Sequence, residues 1–374
     1  MKALLVNTSF YPNIGGVENS LRSICDVLNH EGYSVDIITS DFNQLKNHEV
    51  VFNSNVIRYR QYKYGFFIFS LLKTLSKKNL NSYELIISRH TIPTFVLLIL
   101  NAKKINFVVP GIHFYQNKKH NNTFFEKLKF KLNILLEKYV LNKVKNIFVF
   151  SETMKKQVSL YRKRKKIIML NPGVDHTRFH SIDKNQKIKI RNSLKLPTDK
   201  KIIFSLGRLV DVKNFETLIE AVSLISNDYH LVIVGDGPYK HKLLTLIDNL
   251  DLKNKISLIK STQSPEKYYH SADIFCLPSS YEPFGQVLLE ATFCELPIVA
   301  IKSDAEGIDT ATSDIYMNYS SLITYSNSNS PIELSKALIQ ASSNKISISE
   351  LNKFKDNYSW SKLVQTIIHH NKEM

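Results

Sequence analysis

The chain has 374 residues, of which 43% are hydrophobic and 22% are charged, a balance that is typical of globular proteins and excludes a disordered chain. That length is too great for one comfortable hydrophobic core and predicts two domains. The formal net charge of +17 at pH 7 predicts attraction to an anionic partner, which could be a nucleic acid, a phospholipid surface or a phosphorylated substrate. The lysine excess could equally reflect nucleotide composition alone.

Cysteine usage and hydropathy predict a cytoplasmic protein. Cys25, Cys276 and Cys294 have no paired spacing and lie in apolar contexts, so they are expected to be reduced core thiols rather than bridges or metal ligands. The N-terminal residues lack a signal-peptide cleavage pattern. The apolar runs 66–72 and 94–100 are too short to span a bilayer.

The first residues predict the opening unit of a doubly wound sheet, namely a strand, a glycine loop and a helix. Ala3–Asn7 is apolar, and Val17–Leu28 has apolar residues at helical spacing. Between them, Gly15 and Gly16 would let backbone N–H groups approach a phosphate at the start of the helix, although such a pair can also simply form the turn. The dinucleotide-binding pattern G-x-G-x-x-G does not follow this strand.

Further strands are predicted in the first half at Ser34–Thr39, Val56–Tyr59, Leu85–Ser88, Asn106–Val109 and Ile147–Phe150. Helical or polar stretches separate them, and this alternation predicts a mostly parallel α/β sheet. Pro110–His113 would then stand at the carboxyl end of a strand, where parallel sheets place their ligands. His113 could be a neutral hydrogen-bond partner of such a ligand, or it could be structural.

Three segments of the first half concentrate positive charge. Lys63–Lys78 combines phenylalanines with lysines, and Phe124–Lys145 interleaves apolar residues with six lysines. Each could lie on an anionic membrane surface with its apolar side down, or pack into the core with a solvated basic face. The basic run Arg162–Lys166 could hold a phosphate or simply be solvated.

The second half begins after a turn and a polar linker. Residues 170–175 end a strand in turn residues, and the lysine-rich stretch 181–200 follows, which predicts a domain boundary near residue 180. Lys201–Leu206 is a buried-type strand, and the loop after it carries Arg208 and Lys213. Arginine's planar fork and lysine's point charge suit a diphosphate and would neutralise it without a metal. Two solvated surface cations are the alternative.

The segment 271–291 predicts a strand-to-helix junction with two carboxylates. Ile274–Leu277 is a buried-type strand, and a helix is expected from Pro283, with proline in its first turn. Glu282 and Glu290 would lie roughly 12 Å apart along a continuous helix, which is too far to share one scissile bond, where about 5 to 9.5 Å is needed. The other strands predicted in this half are Leu231–Val234, Ile256–Ile259 and Pro297–Ala300.

That separation suits the two ends of an extended ligand with the layout of a nucleotide-sugar: sugar, diphosphate and ribose. The helix start between the two glutamates would offer backbone N–H groups to an anion. These amides belong to Phe284, Gly285, Gln286 and Val287. An ordinary surface helix with two solvated glutamates is the alternative.

Residues 278–291 have the pattern PSSYEPFGQVLLEA, which resembles the donor-binding signature of the retaining GT-B glycosyltransferases, and of glycosyltransferase family 4 in particular. Other segments are similar to further motifs of that family or fall in its usual order: GVE at 16–18, His113, Ser151-Glu152, SLGRLVDVKN at 205–214 and VGDGP at 234–238. Asn214 replaces the family's glycine, and residues 294–308 depart from its pattern around Pro297.

The resemblance implies a GT-B fold, with two Rossmann-like α/β domains whose parallel sheets face a central cleft. Residues 1–180 would bind the acceptor, with a C-terminal helix at about 358–374 packing back on them, and residues 181–357 would bind a nucleotide-sugar. The implied activity is transfer of a hexosyl group from a nucleoside-diphosphate sugar, expected to be a UDP-sugar, with retention of anomeric configuration.

The resemblance also implies roles for particular residues. Arg208, Lys213 and the helix amides before Glu290 would stabilise the charge that leaves on the diphosphate. Glu282 would hold sugar hydroxyls, Glu290 would hold the ribose diol, and His113 would contact the sugar from the other domain. The donor-binding residues would be Gly15, Gly16, Arg208, Lys213, Glu282, Phe284, Gly285, Gln286, Val287 and Glu290. No metal or other cofactor is expected, because the cations already neutralise the leaving group.

The expected acceptor is a lipid-linked or growing cell-surface glycan, as in polysaccharide or lipopolysaccharide biosynthesis, met at the inner face of the cell membrane. The charge of +17 and the phenylalanine-lysine segments motivate this hypothesis. Two alternatives are a GT-B epimerase that acts on a nucleotide-sugar and a basic nucleic-acid-binding protein. The second has no zinc-finger, RNP or helix-turn-helix pattern to support it, so no nucleic-acid partner is expected.

Overall fold

The computed structural model describes residues 1–13, 16–41, 45–62, 66–114, 124–162, 166–303, 305 and 307–373. The chain divides into two compact units, a first unit of Met1–Gly173 with Ser359–Met374 and a second unit of Val174–Tyr358. The sequence suggested a boundary near residue 180, whereas this division follows Gly173. A Cβ on Gly173 would lie 2.2 Å from the backbone nitrogen of Trp360, so only glycine allows the two segments of the first unit to approach so closely here.

The elements of the first unit are, with few exceptions, those that the hydrophobic pattern predicts. Its strands are β1 Lys2–Val6, β2 Ser34–Asp41, β3 His48–Val51, β4 Ser54–Arg60, β5 Leu85–Ser88, β6 Ile105–Val108, β7 Asn146–Val149 and β8 Ile167–Met169. Its helices before the second unit are α1 Gly16–His30, α2 Phe67–Ser76, α3 Thr91–Ile99, α4 Phe124–Lys143 and α5 Glu152–Ser159.

The eight strands form one sheet in the order β3-β4-β2-β1-β5-β6-β7-β8. Strand β3 is antiparallel to β4, and the other neighbouring strands are parallel. The chain leaves β1 towards β2 on one side and later enters β5 on the other, so a topological switch point lies between the carboxyl ends of β1 and β5. Strand β3 was not predicted, because it is a short edge strand with exposed residues at alternate positions.

The second unit has the same alternation of strands and helices. Its strands are β9 Lys201–Leu206, β10 Tyr229–Val234, β11 Ile256–Ile259, β12 Ile274–Leu277, β13 Tyr281–Glu282, β14 Ile298–Ile301, β15 Asp309–Thr310 and β16 Ile323–Ser326. Its helices are α6 Lys184–Ser193, α7 Phe215–Ser223, α8 Lys240–Asn249, α9 Glu266–Ser271, α10 Gln286–Phe293, α11 Thr312–Tyr316, α12 Pro331–Ala341 and α13 Ile348–Asn357. The last helix of the chain, α14 Trp360–Lys372, belongs to the first unit.

Six strands of the second unit form a parallel sheet in the order β11-β10-β9-β12-β14-β16, and β13 pairs with β15. Here the switch point lies between β9 and β12, so the loops that follow these two strands meet at one edge of the sheet. The core is apolar, with Ile203 of β9 packed among Leu218 of α7 and Leu334 and Leu338 of α12. Strand β16 was not predicted, because it is a four-residue edge strand with polar residues at alternate positions.

The C-terminal helix α14 is bonded to the first unit through asparagine side chains. Asn371 donates a hydrogen bond to the carbonyl of Glu84 at 2.7 Å and accepts one from Asn106 at 2.8 Å. Asn146 donates to the carbonyl of His370 at 2.9 Å. These bonds join α14 to the amino ends of β5, β6 and β7.

Two predictions about buried and membrane-spanning segments can be compared with the structure. The three cysteines are free and buried, as their apolar contexts predicted. No helix within the described part of the chain has both the length and the apolarity needed to cross a membrane.

The basic run Arg162–Lys166 is described only at its two ends. The buried guanidinium of Arg162 donates to the carbonyl oxygens of Leu141, Val144 and Lys145, the last two at 2.8 and 2.7 Å. These carbonyls lie at the end of α4, where a helix leaves its last acceptors unpaired. For Arg162, both the phosphate-binding and the solvated interpretations are therefore wrong, and residues 163–165 lie outside the described residues.

Candidate functional site

The loops that follow β9 and β12 meet at the switch point of the second unit. The first loop contains a 3-10 turn, Asp211–Lys213, and the second leads to β13. The backbone N–H of Ser280 in the second loop donates to the Val212 carbonyl in the first at 2.9 Å. Residues from two predicted motifs, distant in sequence, therefore share one surface.

Asn214, which stands where the resembled family has glycine, adopts a backbone conformation that glycine favours. Its φ of 53° lies in the left-handed region, which glycine favours and asparagine tolerates. Its side chain also donates to the Pro278 carbonyl at 3.0 Å, a bond that glycine cannot make. The asparagine thus keeps the backbone conformation and adds a link between the two loops.

Lys213 and Glu282, which are 69 positions apart, form an ion pair across these loops. Their side chains are only 19% and 13% exposed, so solvent and salt screen their attraction less than on an open surface. The pairing of β13 with β15 and an N–H bond from Ala311 at 2.9 Å hold the backbone of Glu282 in place. From sequence we assigned the two side chains to different parts of a ligand, and the structure brings them into direct contact.

The helix that was predicted from Pro283 begins instead at Gln286. Gly285 precedes it with a φ of 82°, a left-handed conformation that favours glycine. A Cβ there would lie 3.1 Å from the Glu282 side chain. The predicted helix start was therefore wrong, and no continuous helix joins Glu282 to Glu290. The amino end of α10, which is its positive end, nevertheless lies between them in the chain.

Glu290 lies within α10 and is 8% exposed. Its carboxylate accepts a hydrogen bond from the Tyr269 hydroxyl at 2.8 Å, and burial raises the pKa of Glu290 to about 7. Neither Glu282 nor Glu290 is solvated, so the alternative of two solvated glutamates is wrong. Tyr269 was not predicted as a site residue, because it lies 21 positions earlier and no local pattern links the two. Of the other predicted residues, Phe284 is buried and Gln286 and Val287 are half-buried.

The remaining cation of the predicted set, Arg208, is exposed on the loop after β9, so an anion in solution can reach its guanidinium. The backbone of this loop is positioned by the neighbouring loop after β10. A Cβ on Gly235 would lie 2.0 Å from the carbonyl oxygen of Gly207, and one on Gly237 would lie 2.3 Å from that of Leu209. The glycines of the VGDGP segment therefore shape the loops.

Replacing Gly235 with alanine is expected to destabilise the fold by about 3 kcal/mol, the upper end of the range for overpacking, and to weaken anion binding by displacing Arg208. Gly32→Ala is the comparison, because Gly32 has a φ of 81° but nothing within 4 Å of its added Cβ. That variant should cost about 1 to 2 kcal/mol through backbone strain alone and leave binding intact. Urea unfolding and calorimetric titration measure the two effects, and equal losses of binding in both variants would contradict this account.

His113 lies in the first unit, in the segment that follows β6, and α4 holds it in place. Its backbone N–H donates to the Glu137 carboxylate, whose oxygens lie 3.2 and 3.3 Å away. The Asn133 amide lies 3.4 Å from its Nε2 atom, and the Phe130 ring centroid lies 5.4 Å from that of the imidazole. Burial, and then the charge of Lys129, lower the pKa of His113, so the imidazole is neutral at neutral pH.

Two further predictions concern the glycine loop and metals. Gly15 lies outside the described residues, and Gly16 begins α1. Among the described residues, His369, His370 and Glu373 have ligand atoms within 4.8 Å of one another. This group lies at the end of α14, in the first unit, and not on the loops of Lys213 and Glu282.

The two α/β units, each with candidate ligand residues at the carboxyl ends of its strands, fit a glycosyltransferase of the GT-B fold, and the matching family models identify that class. The family model "Glycosyltransferase Family 4" matches residues 14–178, and the model "Glycosyl transferases group 1" matches residues 186–358. Together the two models span most of the chain. The chain therefore belongs to the family 4, or group 1, glycosyltransferases.

Individual relatives agree with this assignment. The chain is 24% identical over 319 residues to an alpha-monoglucosyldiacylglycerol synthase of Streptococcus pneumoniae, and the match covers 80% of this chain and 71% of that protein. The fold of this chain is similar to that of sucrose-phosphate synthase from Thermosynechococcus elongatus, with a TM-score of 0.83, 17% identity and coverage of 100% of this chain and 98% of the other. It is also similar to Anabaena Alr3699/HepE in complex with UDP and glucose, with a TM-score of 0.76, 15% identity and full coverage of both chains.

Proposed function

We propose that this glycosyltransferase moves a hexose from a UDP-sugar to a lipid-linked or growing cell-surface glycan, with retention of anomeric configuration. The observation that carries the proposal is the contact between Lys213 and Glu282 at the switch point of the second unit. In this proposal Lys213 is the cation for the diphosphate, and Glu282 beside it accepts hydrogen bonds from the sugar hydroxyls. The names of the Streptococcus pneumoniae relative and of the Anabaena complex support a lipid acceptor and a UDP donor.

The residues of the second unit act on the two ends of the donor. Arg208, Lys213 and the amino end of α10 bind the diphosphate and stabilise the charge that develops there as the sugar leaves. Glu282 accepts hydrogen bonds from the sugar hydroxyls, and Glu290 accepts them from the ribose diol. The two side-chain cations neutralise the leaving group, so the proposal needs no metal.

His113 of the first unit contacts the donor sugar in this proposal. A neutral imidazole suits the role, because an imidazolium would oppose the oxocarbenium-like charge of the reacting sugar. Glu137, Asn133 and Phe130 all lie on one face of α4 and contact this residue. The first unit therefore presents a positioned, uncharged hydrogen-bonding group.

Thermal unfolding with a panel of nucleotide-sugars tests the proposal. A UDP-sugar at 100 times its dissociation constant should stabilise the fold by about 2.7 kcal/mol, and other nucleotides should stabilise it less. A transferase should release the sugar from its nucleotide only when an acceptor is present. This result distinguishes it from an epimerase. The proposal fails if no nucleotide-sugar raises the unfolding temperature.

The proposal that the acceptor is met at a membrane is supported by the solvent-exposed face of α4. Leu128, Leu132, Leu135 and Tyr139 recur at spacings of four, three and four residues and are between 45% and 62% exposed, so they form one apolar stripe on the helix. Five lysines of α4 flank this stripe, whereas Glu126 is the only exposed acidic residue of the helix. An apolar stripe with lysines fits an anionic lipid surface. Phe66 and Phe69 at the start of α2 are also exposed.

The chain is therefore expected to sediment with anionic vesicles and not with neutral ones. Leu132→Ser combined with Leu135→Ser should lower this binding by about tenfold or more, because each leucine loses about 1.5 to 3 kcal/mol of apolar burial. The matched control is Leu224→Ser with Ile339→Ser, since these residues of the second unit are similarly exposed. Failure of the unmodified chain to bind either kind of vesicle would remove the membrane proposal.

A further inference from the structure

We propose that Arg89 binds a phosphate group of the acceptor at the switch point of the first unit. This inference rests on the proposed function, since it names the chemistry that the acceptor must carry. It concerns a residue that belongs to none of the motifs discussed above. Arg89 directly follows β5, and its backbone N–H donates to the Val6 carbonyl at the end of β1 at 3.3 Å. It therefore stands at the edge where parallel sheets bind ligands.

The guanidinium of Arg89 lacks the partners that a buried arginine requires. The residue is 4% exposed, and its side chain donates one hydrogen bond, to the Ser20 hydroxyl. Among the described residues its buried Nε–H has no acceptor, and the guanidinium lies 5.0 Å from the centroid of the Phe150 ring, a cation–π contact. The negative charge of Glu18 favours the charged form of Arg89, but within the described part of the chain the two do not form an ion pair. A buried cation that has one hydrogen bond and no ion-pair partner among these residues is unfavourable.

A phosphate would supply both the missing charge and the missing acceptors. Arginine's planar fork matches the oxygens of a phosphate, with which it forms strong, charge-assisted hydrogen bonds. Among the described residues, the neighbouring His90 adds no competing positive charge. Burial, together with the nearby His113, lowers the pKa of His90 to about 4, and the Nδ1 atom of His90 accepts the Ile92 N–H at 3.2 Å, so its imidazole is neutral.

Saturating UDP would occupy the phosphate sites of the donor, including the amides expected at Gly15 and Gly16, so a phosphate that binds in its presence belongs to the acceptor. The side chains proposed for the donor diphosphate, Arg208 and Lys213, belong to the second unit. Arg89 and His113 instead follow the adjacent parallel strands β5 and β6 of the first unit. A phosphate on Arg89 would thus lie at the same sheet edge as the imidazole that contacts the reacting sugar.

The test is the thermal unfolding of the full chain, titrated with inorganic phosphate while UDP saturates the second unit. Phosphate should raise the melting temperature of the unmodified chain. Arg89→Met should weaken this response at least about tenfold, as expected for a lost charged hydrogen bond. Without phosphate, Arg89→Met should melt no lower than the unmodified chain, because a buried unpaired charge has been removed. Arg89→Lys keeps the charge but not the fork and should give an intermediate response.

Arg22→Met is the matched control, because Arg22 is an exposed arginine of α1 that pairs with Asp26, and it should respond to phosphate like the unmodified chain. The inference is overturned if Arg89→Met retains the phosphate response. It is also overturned if Arg89→Met melts well below the unmodified chain without phosphate, which would show a structural role. Failure of UDP to shift any melting temperature would count against the proposed function instead, and the phosphate titration without UDP would then still compare Arg89→Met with the unmodified chain.

Discussion

Replacing Lys213 with alanine is expected to lower kcat/KM for sugar transfer by roughly 10²- to 10³-fold, the loss typical of removing one group that stabilises a developing negative charge. The variant loses the cation for the diphosphate. It also leaves Glu282, whose side chain is 13% exposed, without its ion-pair partner, which is costly for a partly buried charge. Initial rates with a UDP-sugar and calorimetric titration with UDP measure the effects on catalysis and on binding.

Lys242→Ala is the matched control for this prediction. Lys242 lies in the same unit and pairs with Glu216 at 2.7 Å, but its side chain is exposed. Such a surface pair contributes about 0 to 1 kcal/mol, so rates and UDP affinity should hardly change. Lys213→Arg should retain part of the activity because it keeps the charge. The assignment of Lys213 would have to be abandoned if Lys213→Ala bound UDP as tightly as the unmodified chain.

Binding of UDP is expected to release protons near pH 7, and Glu290→Gln is expected to lower the number of protons released. Burial raises the pKa of Glu290 to about 7, so the carboxyl group is partly protonated in the free protein. Hydrogen bonds from the ribose hydroxyls would favour the ionised form and lower its pKa. UDP affinity should therefore rise as the pH rises through 7. Calorimetry in buffers with different ionisation enthalpies measures the released protons directly.

The same residue predicts how stability changes with pH. Because the pKa of Glu290 is higher in the folded than in the unfolded chain, the stability that it contributes is fully present below about pH 4.5 and is lost as the pH rises through about 7. The loss is on the order of 3 kcal/mol by pH 8. Burial also raises the pKa of Glu137 to about 7, so the stability that Glu137 contributes is likewise lost as the pH rises.

Glu290→Gln should therefore unfold at higher urea concentration than the unmodified chain at pH 8, and the difference should largely vanish at pH 5. Glu137→Gln is the control for stability, since it should flatten the pH dependence similarly without removing the proton release on UDP binding. Far-UV circular dichroism during urea unfolding measures the stability of both variants. An unchanged pH dependence in Glu290→Gln would show that this carboxylate ionises freely in the folded protein.

Much of the fold was determined by local hydrophobic patterns. Strands β5, β9 and β12 were predicted with the residues that the structure gives them, because central strands of a parallel sheet are buried on both faces and form continuous apolar runs. The edge strand β11 was also predicted with its observed residues, because its sequence ISLI is largely apolar. Edge strands β3 and β16 were missed, because the polar residues in each leave no continuous apolar run. The start of α10 was also misplaced, because a proline at a helix start and a left-handed glycine are both compatible with the segment, and only the backbone conformation of Gly285 decides between them.

Local patterns were enough to establish the alternation of strands and helices, the family and the residue types of the candidate site. Which of those residues contact one another depended on how the segments pack. Lys213 contacts Glu282 because β9 and β12 are neighbours in the sheet, and Tyr269 reaches Glu290 from another helix. The burial of the Arg89 guanidinium, with a single hydrogen bond to a described residue, likewise follows from the packing of α1, β1 and β5. Strand order and side-chain partners depend on contacts between segments far apart in the chain, whereas a periodic pattern records only the burial of each segment's own faces.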